Sequence, residues 1–488
     1  MCWNARIFIA GAQITPSRAV GPRAPSAQPP KRAVAAAVLL FVTACLGDQP
    51  PEAPDVLLIT IDTLRADYVG AYGAGSQATP FLDELAGESV VFTRAIAAAS
   101  RTVPAHASIM TSKPTRQHSV GHLNGETRLE GIPTLAEYFQ SSGYQTAAFV
   151  SNILLTRGTG LDLGFERFDD RLESPELNRP QVVERLAQDT TDEAIHWLES
   201  SDPRPPRFLW VHYQDPHGPY TPPESDQAAM ASPDAGRDRP LPIGRSNQGR
   251  GVIPPYQAIE ELRRPSQYRE RYAGEIHYAD REIRRLVNQA RASAGERPLI
   301  ILVTADHGES LGEARFHFMH THTTTPEVAH IPMLLTGPNL PPGRLHDPVG
   351  HVDIMPTLME AAGLSSPADT EGIALGPIVR GESSLPERWL FCDIGGQLSA
   401  YDEQGFLRAG GLQGAWRTPG VAAPEIGEAR GQRYRWEPGG MWRAEGTGQE
   451  PLPPEIRRYA ERAVPMVPLK QTPPELDERL RALGYLDE

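Results

Sequence analysis

The chain of 488 residues is long enough for one large domain or two unequal ones, and its composition, 40% hydrophobic and 22% charged, is that of a globular protein. Its formal net charge is −14, from 47 Lys and Arg against 61 Asp and Glu, and residues 1–45 contain none of the acidic residues. A surface this acidic argues against a nucleic-acid partner, and an anionic substrate would need local positive charge such as a metal ion.

The first 45 residues resemble a secretion leader. Lys31-Arg32 precede an apolar stretch, 33–44, that is too short to span a bilayer. The residues before Cys45 resemble a bacterial lipobox, so we expect an exported protein anchored to the cell envelope by a lipid on Cys45. The alternative is a simple signal peptide in which this Cys is a coincidence. Residues 46–54 are predicted to be a tether, and Cys2 and Cys392 add no disulfide or zinc pattern.

Residues 55–62 are predicted to form a buried strand that ends in an acidic residue. The run 56–61 is apolar apart from Thr60 and rich in branched side chains, which favours a strand covered on both faces, as in a parallel sheet. A short helix over 79–86 with Thr79 as its cap and a short strand over 90–92 follow. A loop then enters a helix near Thr102, with Pro104 in the first turn.

The chain from there to about residue 365 alternates strands with helices. Helices are predicted over 134–139, 272–290 and 353–362, strands over 146–150, 208–213 and 299–304, and a long surface excursion over 222–267. This alternation predicts an α/β fold with a doubly wound, mostly parallel sheet. We expect a catalytic domain over 55–365 and a smaller C-terminal α+β subdomain over 366–488.

Two of the predicted buried strands end in acidic residues, at Asp62 and at Asp306-His307. The carboxyl ends of parallel strands lie at one edge of a sheet, so these residues can converge. Two carboxylates suit calcium, magnesium or manganese, and the imidazole keeps zinc possible. Each Asp taken singly is more simply a turn or helix-cap residue, but together they predict a metal site.

A hydroxyl and several imidazoles can complete a hydrolytic site. Thr102 lies at a predicted helix N-terminus, whose partial positive charge favours a deprotonated oxygen. Thr102 is therefore a candidate metal ligand and a candidate nucleophile. The alternative is that Thr102 only caps the helix. His217, in a Pro-flanked turn, can bind an anionic oxygen or protonate a leaving group. Spacing alone does not show which of the three histidines that follow Asp306 belongs to the site: His317, His320 or His322.

The chain resembles the sulfatase family of the alkaline phosphatase superfamily. The resemblance runs in order through about 55–365, with a further match near Leu483-Gly484-Tyr485-Leu486. The motifs that carry it are Asp62-Thr63-Leu64-Arg65, Thr102-Val103-Pro104-Ala105-His106, Asp215-Pro216-His217-Gly218-Pro219-Tyr220, Asp306-His307-Gly308-Glu309 and His351-Val352-Asp353.

The resemblance implies a metal-dependent hydrolase of sulfate or phosphate esters. Asp62, Thr102, Asp306 and His307 would hold one divalent ion. Thr102 would attack the ester in line, and His217 and His320 would bind the anion or assist the leaving group. His106, at the position of the motif's Arg, would also contact substrate. The substrate would be a small-molecule, glycan or lipid ester.

Departures from the family motifs bear on the substrate. A sulfatase proper has Cys or Ser at the position of Thr102, which is oxidised to formylglycine, and Thr cannot form that aldehyde. The second Asp of the first metal motif is Thr63. These departures favour phosphodiesters, phosphonates or phosphoryl groups over sulfate. Two alternatives stay open: a phosphotransferase acting on a sugar or lipid hydroxyl, and a catalytically silent binding protein with the same fold.

Overall fold

The computed structural model of the chain describes residues 53–461 except 74–76, 119, 121–127, 234, 248, 322, 395–396, 403–404, 411–429, 438–440 and 452. The predicted leader with Cys45, the motif near Leu483 and His322 lie outside the described residues, so these expectations stay predictions.

One eight-stranded sheet organises the catalytic region. Its order is β14-β2-β13-β9-β1-β8-β4-β5. The strands of this sheet are β1 (Asp55–Ile61), β2 (Val90–Phe92), β4 (Gln145–Phe149), β5 (Arg167–Asp169), β8 (Arg207–Tyr213), β9 (Leu299–Ala305), β13 (Met333–Thr336) and β14 (Gly343–Leu345). The five neighbours β9, β1, β8, β4 and β5 are parallel, whereas β13 runs antiparallel between β9 and β2.

The helices lie between and around these strands. They are α1 (Pro80–Ala86), α2 (Thr102–Thr111), α3 (Thr115–His118), α4 (Leu135–Ser141), α5 (Ala187–Ser200), α6 (Glu224–Ala229), α7 (Pro265–Ala294), α8 (Pro326–Ala329), α9 (Ile354–Ala361), α10 (Gly376–Val379) and α11 (Pro454–Glu461). No helix in the described part of the chain combines the length and the apolar composition that a bilayer crossing requires.

Short strands complete the catalytic region, and a second, antiparallel sheet follows it. The short strands are β3 (Ala95–Ile96), β6 (Ser174–Pro175), β7 (Val183–Glu184), β10 (Ser310–Leu311), β11 (His317–Met319), β12 (His330–Ile331) and β15 (Val349–Gly350). The second sheet contains β16 (Leu390–Asp393), β17 (Leu398–Asp402), β18 (Gly405–Gly410), β19 (Arg430–Glu437) and β20 (Met441–Pro451). Leu390, Cys392 and Tyr401 of this sheet pack against Ile96 and Ala329.

The predicted fold class, a mostly parallel α/β sheet with a smaller C-terminal part, is confirmed. The central strands β1 and β8 are buried along their whole length, which explains why their sequences are nearly continuous apolar runs. The domain boundary near 365 stays a prediction.

Two local expectations need correction. Thr79 precedes α1 but does not cap it with its side chain: its Oγ1 accepts a hydrogen bond from the N–H of Gly70 at 3.0 Å. The excursion over 222–267 is not only surface. It contains α6 and the start of α7, and its residues Tyr256 and Gln257 are buried beside the turn at Gly218. Both differences come from contacts with other parts of the fold, at Gly70 and at Gly218, which the sequence around Thr79 and within 222–267 does not reveal.

Candidate functional site

The two acidic strand ends meet at one edge of the sheet. Ile61 and Ala305, the last residues of β1 and β9, are register partners, so Asp62 and Asp306 follow side by side. Both side chains are fully buried. Burial raises the pKa of Asp306 to about 7 and, together with the charge of Asp306, raises the pKa of Asp62 well above its usual value. With both groups ionised, this pair would need a compensating positive charge.

Thr63 supports this pair through its backbone. Its φ of 54° lies in the left-handed region, which is uncommon for a β-branched residue. In this conformation the Thr63 N–H donates to Asp306 Oδ1 at 3.1 Å, and the Thr63 carbonyl accepts from the hydroxyl of Tyr272 at 2.6 Å. Thr63 therefore orients Asp306 with its backbone, at the position where the family carries a second Asp.

Thr102 is the first residue of α2 and faces Asp62. Its Oγ1 donates to Asp62 Oδ2 across 3.5 Å, and its side chain is almost completely buried. The helix begins here because Arg101 is extended at φ −147° and ψ 143°, and Thr102 is the first helical residue rather than the cap. The free N–H groups of this first turn place partial positive charge around the hydroxyl.

His307 presents an unprotonated nitrogen to the carboxylates. Its Nδ1 lies 3.0 Å from the carbonyl of Gly308, which can only accept, so Nδ1 carries the proton. The lone pair on Nε2 lies 3.3 Å from Asp306 Oδ2. Burial lowers the pKa of His307, which keeps the ring neutral and able to bind a metal.

The buried donor set fits a divalent cation. Asp62 Oδ1, Asp306 Oδ2 and His307 Nε2 are buried and have no hydrogen-bond partner among the described residues. Donor atoms of these three residues lie within 4.8 Å of one another. Buried polar atoms are normally paired, so three unpaired acceptors around one point indicate that an ion belongs between them.

Asn152 joins this cluster, although the sequence analysis did not single it out. It follows the carboxyl end of β4, donates from Nδ2 to Asp62 Oδ2 at 2.8 Å, and accepts from the N–H of Leu154 at 2.8 Å. The signal that could have found it is the one used for Asp62, a polar residue where a parallel strand ends.

His217 and His320 lie together beside the donor set. The rings of His217 and His320 are 5.3 Å apart between centroids, and the rings of His320 and His307 are 4.4 Å apart. His320 Nδ1 lies 3.4 Å from Oε1 of the buried Glu309. The ring of His317 instead contacts Phe318. The structure thus brings His320, and not His317, to the site.

His106 lies beneath Thr102 with both ring nitrogens engaged. Its Nδ1 lies 2.8 Å from the carbonyl of Thr102, which can only accept, so Nδ1 carries the proton. In the neutral ring Nε2 then accepts at 3.0 Å from the hydroxyl of Thr60, whose oxygen accepts from Trp210 Nε1 at 3.0 Å. Burial lowers the pKa of His106 to about 3, so the ring is neutral. This geometry makes His106 a support of Thr102, and the predicted substrate contact stays a prediction.

Comparisons with known proteins identify the family of the chain. The family model described as Sulfatase matches residues 54–364. The chain is 28% identical over 369 residues to the Delta 4,5-hexuronate-2-O-sulfatase of Bacteroides thetaiotaomicron, covering 68% of this chain and 73% of that protein. It is 25% identical over 381 residues to the choline-sulfatase of Rhizobium meliloti, covering 67% and 72%.

Among solved structures, the fold is similar to the phosphonate monoester hydrolase of Silicibacter pomeroyi, with a TM-score of 0.58, 18% identity, and coverage of 78% of this chain and 89% of that one. The family model spans more than half of the chain and includes each of the site residues described above. The chain therefore belongs to the sulfatase family of the alkaline phosphatase superfamily, as a hydrolase of sulfuric or phosphoric ester bonds.

Proposed function

We propose that the protein is a metal-dependent ester hydrolase with Thr102 as its nucleophile, and that it prefers phosphodiesters or phosphonate monoesters to sulfate esters. The observation that carries this proposal is the position of Thr102. Its hydroxyl opens a helix and lies 3.5 Å from Asp62 Oδ2, beside the unpaired donors of Asp306 and His307. Donors arranged in this way around a hydroxyl also weigh against a catalytically silent protein.

A divalent ion held by Asp62, Thr102, Asp306 and His307 would neutralise ester oxygens and lower the pKa of the Thr102 hydroxyl. The side chains of this protein perform the other steps. Thr102 Oγ1 passes its proton toward Asp62 Oδ2 and attacks the phosphorus or sulfur atom, and the bond to the leaving oxygen breaks. Water then cleaves the Thr102 ester and restores the hydroxyl.

His217 is well placed to serve the leaving oxygen. Its Nδ1 donates to the carbonyl of Gly218 at 2.8 Å, which leaves Nε2 for the substrate. Burial, followed by the charge of Arg179, lowers the pKa of His217 to about 3, so the ring of the free enzyme is neutral. An anionic ester nearby favours the imidazolium, which then has a proton on Nε2 to give to the leaving group. His320, held by Glu309, would bind a second ester oxygen.

The preference for phosphorus esters follows from two residues. Thr102 cannot be oxidised to formylglycine, so an ester on Thr102 must be released by attack of water on the central atom. His106 replaces the family's guanidinium, and its two nitrogens are occupied by Thr60 and Thr102, so it offers no charged donor to a sulfate group. The relatives include a sulfatase of hexuronate and one of N-acetylglucosamine, which supports a glycan as one candidate leaving group.

The test compares the wild type with Thr102→Ala and Thr102→Ser on aryl phosphate, phosphodiester, phosphonate monoester and aryl sulfate, each with calcium, magnesium, manganese or zinc. We expect metal-dependent turnover in the wild type, partial turnover in Thr102→Ser and none in Thr102→Ala. Absence of metal-dependent turnover on every ester would refute the hydrolase proposal. Fastest turnover of the sulfate ester would refute the preference for phosphorus.

A further inference from the structure

The segment that leads to His320 contains a β-bulge at Phe318. In the antiparallel pair of β10 and β11, the two residues of β10 are register partners of the first and last residues of β11, so Phe318 between them is an extra residue. Its φ of 57° lies in the left-handed region, which is uncommon for a bulky side chain and persists only where other contacts hold it. A bulge redirects the side chains around it, and the next histidine along the chain is His320.

Two side chains of one short turn hold the carbonyl of Phe318. They belong to a single helical turn, Pro255–Gln257, within the excursion over 222–267. The Tyr256 hydroxyl donates to the Phe318 carbonyl at 3.0 Å, and Gln257 Nε2 donates at 3.3 Å to the same oxygen and to the Tyr256 hydroxyl. Both side chains are buried, so water does not compete for these contacts. The turn therefore supplies donors to a residue that the bulge leaves out of the strand pairing.

The same turn lies against the loop that carries His217. Gly218 has no side chain, and the amide of Gln257 occupies the space where one would begin, because a Cβ on Gly218 would lie 1.8 Å from Gln257 Nε2. The rings of Tyr256 and His217 are 6.4 Å apart between centroids. Gln257 thus contacts both the backbone beside His217 and the segment that leads to His320.

A third segment holds Tyr256 from another side. Asn178 Nδ2 donates to the Tyr256 carbonyl at 2.8 Å, and the Arg179 guanidinium lies 4.5 Å from the centroid of the Tyr256 ring. Arg179 is itself held in place, since it donates two hydrogen bonds to Glu176, at 2.7 and 3.0 Å. These contacts fix the Tyr256 ring, and with it the hydroxyl that reaches Phe318.

We propose that Tyr256 and Gln257 are positioning residues that set the separation of His217 and His320, whose rings lie 5.3 Å apart. The proposal deepens the proposed function and rests on it, because these two histidines would bind the ester and serve its leaving oxygen. His217 follows β8 of the eight-stranded sheet, whereas His320 follows β11 of a separate two-stranded sheet. Strand pairing therefore does not fix the distance between the rings, and the turn that contacts both loops does.

Kinetics on esters with different leaving groups separate positioning from plain stabilisation. Tyr256→Phe and Gln257→Met each remove one donor and keep most of the packing, and the double variant removes both donors from the Phe318 carbonyl. Misplacement by about one ångström can lower a rate about 100-fold, so we expect about this loss of kcat in the double variant and smaller losses in the single ones. The loss should be larger on the phenyl than on the 4-nitrophenyl ester of the same phosphonate, because the poorer leaving group depends more on protonation by His217.

Crystal structures of the wild type and the double variant give a second measurement, which does not depend on activity. In the double variant we expect Phe318 to leave the left-handed region and the rings of His217 and His320 to move apart by about one ångström or more. Tyr72→Phe is the matched control, because the buried Tyr72 hydroxyl also contacts two backbone carbonyls, those of Phe92 and Met333, both at 2.9 Å. It should leave kcat and the ring separation unchanged.

Unchanged kcat in a folded double variant would overturn the proposal, as would an equal loss on both leaving groups with the rings still 5.3 Å apart. If the double variant does not fold, the single variants carry the same test, and undisplaced rings in both would overturn the proposal. Displaced rings in a protein that hydrolyses no tested ester would support the positioning role and refute only the proposed function.

Discussion

Thr60→Val tests the buried hydrogen-bond chain beneath Thr102, the proposed nucleophile. The substitution keeps the shape of the side chain and removes the hydroxyl that accepts from Trp210 and donates to His106. All three side chains are completely buried, so water cannot replace the lost partner. Each buried group left unpaired costs about 1–3 kcal/mol, so we expect the free energy of unfolding to fall by about 2–5 kcal/mol.

The same substitution should lower kcat. His106 Nδ1 holds the carbonyl of Thr102 at 2.8 Å, and a ring released from Thr60 no longer fixes the first turn of α2. Because both nitrogens of His106 are engaged by Thr60 and Thr102, we expect KM to change little.

Urea denaturation and steady-state kinetics measure the two effects. Thr304→Val is the matched control, because Thr304 is the register partner of Thr60 in β9 and its hydroxyl contacts only backbone carbonyls, those of Pro332 at 2.8 Å and Ala305 at 3.3 Å. Its loss should cost about 1 kcal/mol and leave kcat unchanged. A loss in Thr60→Val no larger than in this control, with kcat unchanged, would refute a positioning role for the chain.

Three further predictions concern buried carboxyl groups. Asp280 accepts from two N–H groups of the first turn of α1, both at 2.8 Å, so Asp280→Asn should lower the free energy of unfolding by about 1–3 kcal/mol in urea; an unchanged midpoint would contradict this. Burial raises the pKa of Asp306 to about 7 from an unfolded value near 4, so in the metal-free protein this carboxyl contributes up to about 4 kcal/mol of stability below pH ~4, which is lost as the pH rises through 7. Thermal unfolding of metal-loaded protein should lack this loss, because the ion stabilises the carboxylate, and equal declines would exclude the explanation. Asp55 forms a buried ion pair with Arg207 at 2.5 Å, so Asp55→Asn should cost about 3–5 kcal/mol with or without metal, whereas a loss below about 1 kcal/mol would show that the pair is dispensable.

Much of the fold and part of the site follow from local sequence. Continuous apolar runs at β1 and β9 predict strands buried on both faces, and parallel neighbours end at one edge of a sheet. Asp62 and Asp306 could therefore be expected to meet, and the structure brings them together. Thr102 could be expected at a helix start because Pro104 is favoured in the first turn.

Other contacts of the site depend on residues far apart in the chain. Strand β13 lies beside β9 and antiparallel to it, and a local apolar pattern does not encode this strand order. His212 looks like any other residue of a buried strand until Ser151, 61 positions away, fixes its tautomer. The hydrogen bond between His106 and Thr60, 46 positions away, likewise leaves no mark in the local sequence.

The sequence by itself determined the fold class, the two strands that are followed by Asp62 and Asp306, and the helix that begins at Thr102. These features depend on hydrophobic periodicity and on residues that favour strand and helix ends, which are local properties of the sequence. Only the tertiary structure decided which nitrogen of each histidine keeps a lone pair. That choice depends on single hydrogen bonds near 3 Å: at His212 with Ser151, 61 positions away, and at His307 with the carbonyl of the neighbouring Gly308. A displacement of about one ångström between donor and acceptor breaks such a hydrogen bond, whereas a displacement of that size leaves a strand recognisable as a strand.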